Sequence, residues 1–138
     1  MVRYLVILSV LVILFFSLPA WGGEGERAMQ LFEEGVTAYE RGDLFTAKAK
    51  WEEALRIRKK LGLLETKEAA NTLNNLGVVA SNLSQYEEAK GYFEEALKTF
   101  RKLGLLETEV AATILNNLGN VASNLSQYEE AKGYFEEA

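Results

Sequence analysis

Residues 73–96 read LNNLGVVASNLSQYEEAKGYFEEA, and residues 115–138 read LNNLGNVASNLSQYEEAKGYFEEA. The two stretches differ only where Val78 gives way to Asn120. They lie 42 residues apart, and a further shift of that length brings LFEEGVTAYERGDLFTAKAKWEEAL, residues 31–55, into register without a gap. Gly35, Gly77 and Gly119 then coincide, as do Ala38, Ala80 and Ala122, and Ala47, Ala89 and Ala131. Trp51, Phe93 and Phe135 align, followed by Ala54, Ala96 and Ala138. Small residues and aromatics recurring at a fixed period mark a stacked-repeat architecture, in which no unit buries both its faces alone.

Each unit predicts two helices. Leu73, Leu76, Ala80 and Leu83 recur at intervals of three and four, an amphipathic stripe on a first helix, helix A, from about Thr66 to Asn82. Ser84 with Glu87, and Ser126 with Glu129, match the capping-box pattern and predict the start of a second helix, B. In the first unit Gly42-Asp43 occupies the same turn. Helix B carries Tyr86, Ala89, Phe93, Ala96, Leu97, Phe100 and Leu103 on one face and stops at Gly104, as its predecessor stops at Gly62. The GLLET linkers, 62–66 and 104–108, place paired leucines as a plug between units. Gly77 and Ala80 let helix A approach helix B, and Phe93 fills the remaining space. Gly91 and Gly133, inside helix B, have no such explanation, although a mid-helix glycine costs about 0.8–1 kcal/mol.

The chain before the repeats differs in kind. Residues 4–18, YLVILSVLVILFFSL, are almost wholly apolar, follow Arg3, and end at Pro19 and the small residues Ala20 and Gly22. That is a secretory signal pattern, too short for the roughly 20 residues of a membrane-spanning helix. Residues 1–22 are therefore expected to be a cleaved signal and 23–138 the domain, placing it in the periplasm or outside the cell; an uncleaved membrane anchor is the alternative. Without Arg3 the remaining chain has fourteen basic and twenty acidic residues, a charge of −6. This excludes the basic stripe of a nucleic-acid binder. With no cysteine there is no thiol nucleophile, thiolate metal site, disulfide or lipid-modified cysteine, and with no histidine the commonest general base is missing. No enzyme and no cofactor are expected.

Leu-x-x-Leu-Gly-x-x-Ala in helix A and Ala-x-x-x-Phe-x-x-Ala in helix B resemble the tetratricopeptide repeat. The 42-residue period and LNNLG start are similar to the repeats of kinesin light chains. The resemblance implies an all-α, right-handed superhelical solenoid of antiparallel helix pairs, with units at about 28–65, 70–107 and 112–138. The first unit departs from the pattern, with Glu34 where Leu76 and Leu118 stand and Leu44 where Tyr86 and Tyr128 stand, as befits an N-terminal cap. The resemblance also implies binding of a partner protein, as an extended peptide or a helix, in a concave groove lined by the A helices.

Opposite the leucine stripe, helix A of the second unit presents Asn71, Asn74, Asn75, Val78 and Asn82; that of the third presents Thr113, Asn116, Asn117, Asn120 and Asn124. An amide both donates and accepts, so it can bridge a peptide's backbone N–H and C=O. In the family, the asparagine two residues before the helix-A glycine commonly holds ligand backbone; here these are Asn75 and Asn117, with Glu33 in the first unit. The plain alternative is that these asparagines only keep the surface soluble. No basic residue stands among these positions, which disfavours the family's carboxylate clamp and favours a ligand with neutral or weakly basic side chains. The pairs Glu87-Glu88, Glu94-Glu95, Glu129-Glu130 and Glu136-Glu137 are expected on a solvated outer face. The sequons at Asn82 and Asn124 are expected to serve turns rather than glycosylation.

The third unit stops at Ala138, the equivalent of Ala96 and short of the equivalent of Leu103. The expectation is a fragment of a longer reading frame, since an uncapped solenoid is poorly soluble. Two further readings are a targeting or regulatory front to a larger secreted enzyme, such as a caspase-like protease, and self-association through the uncapped end.

Overall fold

A computed structural model describes residues 21–138; the apolar segment 4–18, and all but Trp21 and Gly22 of the expected signal, lie outside the described residues. Six helices follow in order: α1 Trp21–Glu40, α2 Leu44–Lys60, α3 Lys67–Asn82, α4 Tyr86–Lys102, α5 Glu109–Asn124 and α6 Tyr128–Glu137. The fold is all-α among the described residues. The pairs α1/α2, α3/α4 and α5/α6 are the antiparallel units, and each B helix packs on the A helix that follows it. None of these helices is long and apolar enough to cross a membrane.

Within each unit, the helix-A glycine is required by packing. A Cβ on Gly77 would lie 2.6–2.8 Å from the Phe93 ring, and one on Gly119 2.5–2.8 Å from that of Phe135; the Trp51 indole closes on Gly35 in the same way. Trp51 also donates its Nε1–H to the Phe32 carbonyl at 3.0 Å. By contrast, a Cβ on Gly91 or Gly133 would meet nothing within 4 Å, so packing gives no reason for either. The core runs between units: Phe93, Ala96, Leu97 and Phe100 of α4 join Ile114, Leu115, Leu118 and Val121 of α5 in one buried cluster. Leu105 and Leu106 pack against it as expected, but Leu63 and Leu103 stay exposed.

The A-to-B turns differ from the sequence expectation. Ser84 and Ser126 are not capping residues of helix B. They terminate helix A, in left-handed backbone at φ 60° and 61°. The Ser84 N–H bonds to Ser81 O (2.9 Å) and the Gln85 N–H to Ala80 O (2.8 Å), the paired bonds of a Schellman ending. Gly42, Gly62 and Gly104 end their helices with the same two bonds at φ between 68° and 78°. The true N-caps are Gln85 and Gln127, and neither caps with its side chain. Instead Gln85 Oε1 accepts from Lys48 Nζ (2.8 Å) and Gln127 Oε1 from Lys90 Nζ (2.9 Å), each lysine belonging to the preceding unit. Asp43, the equivalent residue of the first unit, meets no such lysine and does cap, accepting from the Thr46 N–H at 3.1 Å. The caps of α3 and α5 are Thr66 and Thr108.

Left-handed backbone costs an L-residue about 1–2 kcal/mol, part of which glycine gives back through its greater unfolded-state entropy. Ser84 and Ser126 make no side-chain hydrogen bond among the described residues, so nothing is lost on replacement. Ser84→Gly is expected to stabilise the chain by about 0.5–1 kcal/mol, read as a higher urea midpoint at unchanged m-value.

The leading face of the first unit is polar. Gln30, Glu34 and Thr37 stand where Thr72, Leu76 and Val79 stand one period on. Glu34 pairs with Lys50 at 2.7 Å and with Arg27 at 3.5 Å, and the Lys50 bond holds its carboxyl below the usual range.

Candidate functional site

The A helices α1, α3 and α5 bring the expected residues to one side, but not all of them stand free. Asn71, Asn75, Val78 and Asn117 are half-buried, while Asn82, Thr113, Asn116, Asn120 and Asn124 are exposed. Asn74 is half-buried as well, and its Oδ1 is buried and without a hydrogen-bond partner among the described residues. Three amides are engaged within the protein: Asn82 Nδ2 donates to Tyr39 Oη (3.2 Å), Asn116 Nδ2 to Ala112 O (3.1 Å) and Asn124 Nδ2 to Asn120 O (2.8 Å). Among the described residues Asn71, Asn75, Asn117 and Asn120 make no side-chain hydrogen bond. The amide face is thus reduced to these four, with Asn75 and Asn117 one period apart.

Beside Asn75 lies a cavity of about 290 Å³ between the first and second units, lined by Val36, Tyr39, Glu40, Trp51, Asn75 and Val78. Sequence reading found Asn75 and Val78 but missed the contribution of the first unit. The available signal was that Tyr39 stands where the other units have Ser81 and Ser123. The cavity is mostly apolar, with the Trp51 indole and the Tyr39 ring, 6.0 Å apart between centroids, in its lining.

On the B helices all eight residues of the glutamate pairs are exposed, as expected, and several of them also bridge neighbouring units. Lys48 Nζ pairs with Glu88 at 2.6 Å, and Lys90 Nζ with Glu130 at 2.7 Å, one period on. The Lys90–Glu130 bond raises the lysine and lowers the carboxylate from their ordinary values. Tyr92 Oη donates within 3.2–3.3 Å of Glu52 and Glu88, and Tyr134 Oη within 3.1–3.2 Å of Glu94 and Glu130. Burial, reinforced by these carboxylates, pushes both phenols well above the ordinary tyrosine range. Each clasp is partly exposed and contributes about 0–1 kcal/mol. Among the described residues no cluster of acidic side chains could hold a metal.

Paired antiparallel helices, a glycine–aromatic lock in every unit and a 42-residue period define a helical-repeat solenoid. The chain belongs to the tetratricopeptide repeat family, whose sequence model matches residues 26–102 and again 68–138. Among solved structures it is similar to BtubC (BKLC) from P. vanneervenii, at 28% identity and a TM-score of 0.76, over 80% of this chain and 43% of that one. The chain thus spans less than half the length of BtubC. The TPR domain of Arabidopsis FLU shares the fold at 15% identity and a TM-score of 0.73, over 82% of this chain and 92% of that one. So does the N-terminal domain of stress-induced protein-1 (STI-1) from C. elegans, at 17% identity and 0.68, over 82% of each. No curated protein sequence matches the chain. Tetratricopeptide repeats generally mediate protein–protein interaction, and proteins of this fold are typically non-catalytic scaffolds.

Proposed function

We propose that this protein is an interaction scaffold that binds an extended peptide segment of a partner along the face of α1, α3 and α5. The observation that carries the reading is the pair Asn75 and Asn117. They are half-buried, one period apart on the same face, and among the described residues neither amide is hydrogen-bonded. Such amides can take both the N–H and the C=O of a peptide backbone. The apolar segment at residues 4–18 supports a periplasmic or secreted setting for this activity. The polar leading face, with its Glu34–Lys50 pair, argues against open-ended head-to-tail stacking of copies, which would strip that pair of water.

The test uses peptides selected from a random dodecapeptide display library on the 138-residue chain. In calorimetric titration, Asn75→Ala and Asn117→Ala are each expected to weaken a selected peptide by about 0.5–1.5 kcal/mol, the net value of one hydrogen bond. Unchanged affinity in both variants, with unchanged helicity, would remove the backbone-ladder reading.

A further inference from the structure

The cavity between the first two units specifies more than a backbone. At about 290 Å³ it falls at the lower edge of the roughly 300–1,000 Å³ of small-molecule sites, a size that suits one side chain of a larger partner. Its walls are Val36, Tyr39, Trp51 and Val78, and its charged rim is Glu40. Glu40 is exposed and joins no ion pair among the described residues, and Glu33, on the same helix, stands likewise. Part of the lining sequence is particular to the first inter-unit step. One period on, Tyr39, Glu40 and Val78 become Ser81, Asn82 and Asn120, so the apolar wall and the charge both disappear. Val78→Asn120, the single difference between the two 24-residue copies, falls on a residue that lines this cavity.

We infer that the first inter-unit cavity is a specificity pocket for an apolar side chain that neighbours a lysine or arginine, the apolar group seated among Val36, Tyr39, Trp51 and Val78 and the cation facing Glu40 and Glu33. This rests on the proposed groove function and adds to it the side-chain chemistry of the partner. Charge complementarity selects the occupant: Glu40 rims the cavity and Glu33 stands on the same face, Glu109 adds a third acid on α5, and the face carries one cation, Lys67, at the far end of α3, so a basic group is favoured over an acidic one. Burying one Leu-sized side chain is worth enough to dominate the choice at this step.

The same dodecapeptide display library tests the inference, by sequencing what is enriched on the wild-type chain, on Val78→Asn, on Glu40→Gln and on Asn75→Ala/Asn117→Ala. Val78→Asn copies the residue of the third unit, and circular dichroism checks that it keeps the fold. The expected result is enrichment of Leu, Ile, Val or Met next to Lys or Arg. Synthetic peptides with that leucine changed to serine should bind about tenfold more weakly to the wild type. Val78→Asn should erase the apolar preference, and Glu40→Gln should erase the basic one while leaving the apolar one. Enrichment of acidic sequences, or the same apolar-basic signature retained on both pocket variants, overturns the inference while leaving the groove reading intact. No enrichment above the Asn75→Ala/Asn117→Ala chain overturns the groove reading and the inference with it.

Discussion

Phe93→Ala is expected to cost about 3–5 kcal/mol, the range for removing a fully buried aromatic ring and leaving its cavity. Phe93 is 1% exposed, closed in by Gly77 of its own unit and by the apolar cluster that continues into α5. Phe135 holds the same place in the same local sequence and packs on Gly119 in the same way, yet it is 45% exposed. Phe135→Ala in the 138-residue chain is therefore expected to cost only about 1–2 kcal/mol, since much of the ring already faces water. Urea denaturation of the two variants makes the comparison. Equal losses would mean that the aromatic acts within its unit and that inter-unit burial adds nothing.

Thr72→Val should have the second large effect, although it keeps the side chain's shape. Arg58 is 9% exposed and Thr72 fully buried, and Arg58 Nη1 donates to Thr72 Oγ1 at 2.8 Å. The hydroxyl in turn donates to the Glu68 carbonyl at 2.8 Å. Burial pulls the guanidinium's pKa below its ordinary value, with Glu68 acting the other way. Removing the hydroxyl leaves a charged donor without its acceptor, a loss of about 1.5–3 kcal/mol. One period on, the same two positions are Phe100 and Ile114, both in the apolar cluster. The double replacement Arg58→Phe/Thr72→Ile is therefore expected to return to within about 1 kcal/mol of the parent or to exceed it, as when a buried polar pair is exchanged for packed apolar groups. A double-mutant cycle with no coupling between the sites would show that the pair is not an energetic unit.

Near-identity at a 42-residue period was enough to read the repeat, the two helices of each unit and the glycine–aromatic lock, because each depends on spacing within one unit. The first unit's departure from the repeat was legible in Glu34 for the same reason: a charge replaces a stripe leucine. The capping boxes misled because Ser-x-x-Glu is a local pattern with two local solutions. Ser84 could open helix B or close helix A; it closes helix A in left-handed backbone and leaves the N-cap position to Gln85. Likewise a helical wheel puts Asn74 and Asn75 on one face but does not show that the Asn74 Oδ1 is buried without a partner.

The sequence by itself determined what recurs: helix period, turn positions, the close approach at Gly77 and an acidic composition without histidine or cysteine. Tertiary structure decided what differs between identical copies. Asn82 reaches Tyr39 of the preceding unit while Asn124, in the same local sequence, bonds the Asn120 carbonyl, and a cavity forms where Tyr39 and Trp51 of one unit meet Asn75 and Val78 of the next. The physical reason is the solenoid itself: each unit leaves a face open, and the neighbour that covers it sets how identical residues are buried, paired or left free.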